Sequence, residues 1–433
     1  MSSELPKRVL LLLTARTYRA RAFKEAADRL GVEVCAVVDM KQELADYWNY
    51  PLGVDFTDQN KAIEAIKDFA QKKPIGAVLS VDDSGSAVAA LASQELGLRH
   101  NAPDAALAAR DKYLMRSKLH ENGVKVPDFS LHYFPTEKGQ DEASTRQLAD
   151  EIAYPIVIKP VNLSGSRGVI RANSPDEFKN AVEQLHQIML TLSASSASIP
   201  YLIESYVDGV EVAVEGLLDD GKLQVLAIFD KPDPLVGPYF EETIYVTPSE
   251  LAAGTQDEIA ACTSAAAAAI GLREGSIHAE LRINDGGVWL IEIAGRSIGG
   301  LCSQTLRFGL EESLEELIIR QALGMEFQSY KRENLASGVM MIPIPQRGIL
   351  RSVRGTKNAE KIPLIERVEI TARLNYSLVP LPEGDSYLGF IFARGSSTKA
   401  VESALRKAHG KLEFDILPEL LISPEHKYFN FQT

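Results

Sequence analysis

The sequence predicts a multidomain protein of mixed α/β and α+β class, and three observations carry that expectation. Its 433 residues exceed what one ordinary core organises, so about two to four domains are expected. The first hundred residues alternate short apolar runs with helical patterns, the rhythm of a parallel sheet covered by helices. From about residue 336 the chain turns β-rich, through GVMMIPIP, RVEITARL and YLGFIFARG. The composition is globular, 45% hydrophobic and 24% charged. A net charge of −13 argues against nucleic-acid and membrane-surface partners, so an anionic ligand has to be held by local groups. Cys35, Cys262 and Cys302 lack metal-ligand spacing and read as small buried apolar residues in a reducing compartment. No stretch reaches the roughly 20 apolar residues of a membrane span. The apolar run at 9–13 is also too short for a signal peptide, so a cytoplasmic location is expected.

Taken in order, RVLLLL (8–13), VEVCAVVD (32–39) and GAVLSVDD (76–83) are strands, and SAVAALASQELG is a helix. The turn TARTYRA has no glycine for close approach of a pyrophosphate. The N-terminal unit therefore reads as a Rossmann-like scaffold without the usual cofactor loop. DAALAARDKYLMRSKLHENGV is helical, broken near Asp111 and closed by Gly123. Polar 136–147 and Ser/Ala-rich 191–200 read as loops at the margins of a smaller unit. That unit holds a strand, a glycine loop, the returning strand GVIRA, and a helix from Pro175 to about Leu192. Residues 201–295 supply strands, with the alanine run at 265–269 in a helix. EELIIRQALGM (315–325) and a stretch around 397–409 are helical, and KLEFDI is the last strand.

Within the smaller unit, VIKPVNLSGSRGV (157–169) delivers a lysine at a strand end and follows it with a loop of small residues. Backbone N–H groups of such a loop can converge on phosphate oxygens because few Cβ atoms obstruct them. Lys159 then supplies a mobile charge, beside Ser164, Gly165, Ser166 and Gly168. A plain hairpin loop is the alternative, and the pattern is not a P-loop. In LIESYVDGVEVAVEGLL (202–218), Glu204 and Glu211 end neighbouring strand-like runs, where they could meet a base amino group and ribose hydroxyls; solvent-facing glutamates are the alternative.

The stretch SIHAELRINDGGVWLIEIAGR (276–296) reads as a hairpin turning at Asp285, Gly286 and Gly287. If Leu281, Ile283, Trp289, Ile291 and Ile293 share one apolar face, Leu281 pairs with Ile291 and Ile283 with Trp289. Glu280 then lies directly opposite Glu292, roughly 5 Å away between Cβ atoms, where like charges repel. A hard divalent cation bridging to phosphate would relieve them; neutralisation by Arg282 or Arg296 is the alternative. Arg296, in the turn GRSIGG, is placed to grip phosphate or an oxyanion in bidentate fashion, unless it is simply an exposed loop arginine. His278 shares the Glu280 face and reads as a structural residue.

These stretches, in this order, resemble the ATP-grasp superfamily, and within it the L-amino-acid ligases, over nearly the whole chain. The resemblance implies a Rossmann-like domain (1–110), a two-subdomain ATP-grasp core (111–205 and 206–335) and a small β-rich C-terminal domain (336–433). By resemblance, Lys112 in RDKYLMRSKLHENGVKVP and Lys159 reach the nucleotide phosphates. Glu204 meets the adenine amino group, Tyr206 and Val207 its edge through backbone, and Glu211 the ribose. Glu280 and Glu292 become the ligands of Mg2+, with Mn2+ as a substitute. Arg296 matches the arginine aimed at the acyl phosphate and tetrahedral intermediate. DKPDPLVGPYFEETIYVTPS resembles the substrate-lining segment, making Tyr239, Phe240 and Glu242 candidate specificity residues, with ordinary packing as the alternative. One departure is Ala294, where many of these enzymes carry an asparagine metal ligand.

The implied chemistry is ATP-dependent joining of a carboxylate and an amine, both expected to be amino acids, through an acyl phosphate, with release of ADP and phosphate. Lys159 and Arg296 carry the catalytic roles, and a homodimer is an expected assembly. The alternatives are a bicarbonate-phosphorylating carboxylase of the same superfamily and a non-catalytic ATP-binding protein.

Overall fold

The computed structural model describes residues 6–15, 17–134, 141–192 and 199–418. Four sheets organise it. Parallel strands Leu52–Val54, Glu33–Asp39, Arg8–Leu13 and Ala77–Ser80 form the N-terminal sheet in that spatial order. Both faces of its central strand are covered. Leu10 and Leu12 pack with Val37 and Ile66, whereas Val9, Leu11 and Leu13 pack toward the rest of the molecule. That double burial is why the run is continuously apolar instead of alternating. The edge strand Leu52–Val54 had no sequence signal, being three residues long.

The glycine loop sits at the end of a separate four-stranded sheet, ordered Phe129–Phe134, Ile199–Ser205, Ile156–Pro160, Ile170–Ala172. Helix Pro175–Leu192 buries Phe178, Ala181, Val182, Leu185 and Met189 against it. Part of each stretch expected as a marginal loop is regular structure. Asp141–Glu151 is a helix and a strand begins at Ile199; residues 135–140 and 193–198 lie outside the described residues.

An eight-stranded sheet forms most of the remaining core, beside a three-stranded sheet of Ser377–Leu378, Gly348–Arg354 and Glu413–Leu417. Its order is Gly287–Ala294, Gly275–Asn284, Val210–Asp219, Lys222–Asp230, Ile244–Thr247, Ala336–Ile342, Gly389–Gly395, Ile365–Ile370. It continues unbroken across the expected boundary at 335–336. Glu204 and Glu211 are therefore not on neighbouring strands: the first belongs to the four-stranded sheet and the second to this one. Helix Lys112–Glu121, N-capped by Asp111, buries Met115 and Leu119 with Val212, Ile259 and Ile277, and so packs on the large sheet. Among the described residues no helix is long and apolar enough to cross a membrane.

Candidate active site

The hairpin expected to present two carboxylates does so. Strands Gly275–Asn284 and Gly287–Ala294 pair His278 with Ala294, Ala279 with Ile293 and Glu280 with Glu292. Nearer the turn the expected register fails. A bulge after Glu280 pairs Leu281 with Leu290, Arg282 with Trp289 and Ile283 with Val288. Ile291 is the extra residue; it lines the cleft, while Leu290 joins Leu281 in the core. One inserted residue leaves both halves alternating, so a period of two cannot reveal it.

Glu280 and Glu292 are each met by a different lysine, and by neither candidate arginine. Lys231, at the end of the neighbouring strand Lys222–Asp230, is buried with Nζ 2.7 Å from Glu211 Oε1 and 3.2 Å from Glu280 Oε1. It also donates to Glu242. Carboxylate oxygens of Glu211, Glu242 and Glu280 lie within 4.8 Å of one another. Lys112 Nζ holds Glu292 Oε1 at 3.1 Å and the Leu163 carbonyl at 2.7 Å. Arg282 instead binds Glu211 Oε2 at 2.7 Å and the Val207 carbonyl at 2.6 Å. Burial acts to raise the Glu280 carboxyl, but Lys231 and His278 outweigh it and hold it well below the usual range. Glu242, half-buried beside Glu280, is pushed up to about 7 by desolvation that Lys231 only partly offsets.

Three cross-strand pairs align this wall: Arg282 with Glu211, Glu280 with Ala213 and His278 with Glu215. Glu215 is fully buried; it accepts from His278 Nδ1 at 2.5 Å and from the Ile298 N–H at 3.1 Å. Burial lowers the His278 imidazolium, yet its bond to Glu215 and the nearby Glu280 carry it up to about 9. His278 is thus charged at neutral pH and couples Glu215 to Glu280, whose Oε1 is 3.6 Å from Nε2. Glu215 was absent from the sequence candidates. Its signal was there: it shares a face with Glu211 in the otherwise apolar run VEVAVEGLLD.

On the facing sheet, Lys159 Nζ lies 2.6 Å from Glu204 Oε2, and Arg116 Nε lies 2.8 Å from Oε1. Arg116, fully buried, was not among the sequence candidates. Burial first, and then Arg116, push the Lys159 ammonium down to about 8 against the pull of Glu204. Burial raises Glu204, but Arg116 and Lys159 outweigh it and keep it low, hence ionised. Tyr206 N–H is bonded to the Pro155 carbonyl at 3.0 Å. Part of the backbone expected to read an adenine edge is therefore already engaged, including the Val207 carbonyl.

The glycine loop bends as its composition suggested, with Gly165 at φ 66°, Ser166 at 55° and Gly168 at 71°. Leu163, Ser164, Gly165 and Ser166 line the cleft. Gly168 does not; its N–H is bonded to the Pro382 carbonyl at 2.8 Å, and a Cβ there would fall 2.8 Å from Leu185 Cδ1. Its part is to let the loop turn, not to meet a phosphate.

The cleft between the sheets has a volume of about 710 Å³ and extends to the N-terminal domain through Tyr18, Asp82 and Asp83. Arg296 donates two parallel 2.8 Å bonds, from Nε and Nη2, to the Asp83 carboxylate. Phe240 and Glu242 line the cleft, whereas Tyr239 lies outside its lining with its hydroxyl on Gln184 Oε1 at 3.1 Å.

This architecture is that of the ATP-grasp fold, and the chain belongs to the ATP-grasp superfamily. Family profiles match in succession: ATP-grasp N-terminal domain at residues 24–100, ATP-grasp domain at 152–305, and L-amino acid ligase C-terminal domain 2 at 340–416. Alanine–anticapsin ligase from Bacillus subtilis (strain 168) is 27% identical over 295 residues, 63% of this chain and 60% of that protein's own length. The chain thus matches somewhat less than two thirds of that relative. The crystal structure of an L-amino acid ligase from Bacillus licheniformis superposes with a TM-score of 0.77 at 25% identity, covering 96% of this chain and 100% of the other. The biotin carboxylase domain of Hydrogenobacter thermophilus 2-oxoglutarate carboxylase, in complex with MgADP and bicarbonate, gives a TM-score of 0.67 at 18% identity over 96% and 92% of the two chains. At that identity it shares the fold alone.

Proposed function

We propose that this chain is an ATP-dependent carboxylate–amine ligase that joins two amino acids through an acyl phosphate. What supports the reading most is that Glu280 and Glu292 face each other in a cleft also lined by Lys112, Lys159, the glycine loop and Arg296.

The donor chemistry fits a hard divalent cation, since Glu280 clusters with Glu211 and Glu242 and faces Glu292 across the hairpin, all offering carboxylate oxygens. Glu280 and Glu292 would hold Mg2+ or Mn2+, which supplies charge neutralisation for a polyphosphate and the transferring phosphoryl group. Lys112, Lys159 and the N–H groups of residues 164–166 bind the triphosphate of ATP. Phosphoryl transfer to a carboxylate oxygen of the acid then gives an acyl phosphate and ADP. The amine nitrogen attacks the carbonyl carbon, the C–O bond to phosphate breaks with its electron pair, and the nitrogen loses a proton. Arg296 stabilises the oxyanion of the tetrahedral intermediate, a contribution of about 10²-fold or more for one well-placed donor. Glu204 and Glu211 contact the nucleoside.

The test is a phosphate-release screen with ATP, Mg2+ and amino acids, singly and in pairs, with products weighed by mass spectrometry. Release that requires two amino acids and yields their condensation product is expected. Release stimulated by bicarbonate alone would move the assignment to the carboxylase branch, and release indifferent to every acid and amine would end the ligase reading.

A further inference from the structure

The glycine loop belongs to one sheet, but its outer side is fastened to a different part of the chain. The Gly168 N–H bonds the Pro382 carbonyl at 2.8 Å, and Arg167 Nε bonds the Glu383 carbonyl at 2.7 Å. Arg167 Nη1 also lies 3.7 Å from Asp385 Oδ2. One helix away, the Gln184 side chain bridges two loops at once. Its Nε2 donates to Glu383 Oε1 at 3.1 Å, and its Oε1 accepts from the Tyr239 hydroxyl at 3.1 Å. On the flank, Arg171 donates from its N–H to the Pro238 carbonyl at 2.8 Å and from Nη1 to the Val236 carbonyl at 2.7 Å.

We infer that segment 380–387 of the C-terminal β-rich region is the catch that holds the glycine loop shut over the cleft, with Arg167 and Gln184 as the positioning residues that engage it. Neither side chain lines the cleft, so neither is a catalytic residue. Both act through the loop whose N–H groups must be fixed within a fraction of an ångström to serve phosphate oxygens. The same segment turns inward at Asp385, Ser386 and Tyr387, which do line the cleft. Loop closure and the substrate end of the cleft are thereby joined in one stretch of chain. Gln184 additionally ties the catch to Tyr239, in the stretch that also supplies Phe240 and Glu242. This role rests on the ligase reading for its catalytic consequence, but not for its geometry. Under that reading, a loop that fails to stay shut admits water in place of the amine. Water attack on the acyl phosphate regenerates the acid and releases phosphate, so ATP is consumed without amide.

The experiment uses the contact between Gln184 and Glu383. Gln184→Glu sets two carboxylates against each other and opens the catch. Adding Glu383→Gln reverses donor and acceptor and restores the bond, while Tyr239 still finds an acceptor at position 184. The first readout is hydrogen exchange of the amides of residues 162–169 without nucleotide, which requires no catalysis. We expect exchange roughly ten-fold faster in the single variant, the scale of one lost hydrogen bond, and return toward wild type in the double variant. The second is phosphate released per amide formed, which should rise several-fold in the single variant and recover in the double. Arg167→Ala, on the loop itself, should move both readouts the same way. Unchanged exchange in Gln184→Glu and Arg167→Ala, or no recovery in the double variant, would overturn the catch. Wild-type protein that forms no amide from any pair would count against the ligase reading while leaving the exchange result to decide the catch.

Discussion

Replacing Lys231 with methionine tests the electrostatics of the carboxylate wall, because it removes the charge and keeps most of the side-chain volume. Without the ammonium, Glu211, Glu242 and Glu280 are left with oxygens within 4.8 Å of each other. Two unit charges at that separation repel by about 3.5 kcal/mol at an effective dielectric of ~20. Glu242, already pushed up to about 7, takes its proton readily. Arg282 on Glu211 and His278 beside Glu280 offset part of the remaining repulsion. A second carboxylate relieves the rest by taking another proton, the case that sets the upper bound on the loss. For a group of ordinary pKa near 4.3, that costs about 3.7 kcal/mol at pH 7 and about 1 kcal/mol at pH 5. The sign follows from proton counting. The folded variant holds a proton that the unfolded chain releases above pH ~4.3, so its stability falls as pH rises. Lys231→Met should therefore lose up to about 4 kcal/mol at pH 7 and up to about 1 kcal/mol at pH 5, measured by chemical denaturation with tryptophan fluorescence. Equal losses at both pH values, or a loss under about 1 kcal/mol at pH 7, would show that the lysine is not the counter-charge described here.

Further expectations concern single groups. Arg296→Lys keeps the charge but loses the two-pronged grip, so amide formation should fall about 10²-fold or more with little change in KM for ATP; a larger effect on KM would refute an oxyanion role. Lys159 loses its proton as pH rises through about 8, so KM for ATP should climb above that pH, and a flat profile up to pH 9 would remove Lys159 from the phosphate site. The raised His278 pKa, about 9 against an ordinary 6.5, contributes stability that is complete below pH 6.5 and lost as pH rises through 9. His278→Asn should flatten the stability profile over that window, and a wild-type slope in the variant would argue against the charged pair with Glu215. Glu280→Gln and Glu292→Gln should each abolish ATP turnover while leaving the fold intact by circular dichroism.

The parts of the site visible in the sequence were those written locally. The Glu280–Glu292 pairing expected from alternation forms, although the pairs nearer the turn that set the expected register do not, because of the bulge after Glu280. The bend of the glycine loop follows from its composition. Lys231, Arg116 and Asp83 escaped notice because each acts across a long chain separation. Lys231 sits 49 residues from Glu280, Arg116 sits 88 from Glu204, and Asp83 sits 213 from Arg296. The demand for positive charge beside the carboxylates could be read from charge alone, but its sources, Lys231 at Glu280 and Lys112 at Glu292, could not. The choice of lysine over Arg282 and Arg296 depended on which side chains the packed sheets leave within reach.

By itself the sequence determined the periodicities, and with them the sheets, the covering helices and the residues able to carry charge on one strand face. Backbone geometry imposes those patterns over a few residues, whatever the rest of the chain does. Only the tertiary structure decided which charges meet, that Gly168 serves the turn and not the cleft, and that segment 380–387 reaches the glycine loop. Such contacts are set by how whole sheets dock, and docking depends on the summed shape and burial of many residues that no short window contains.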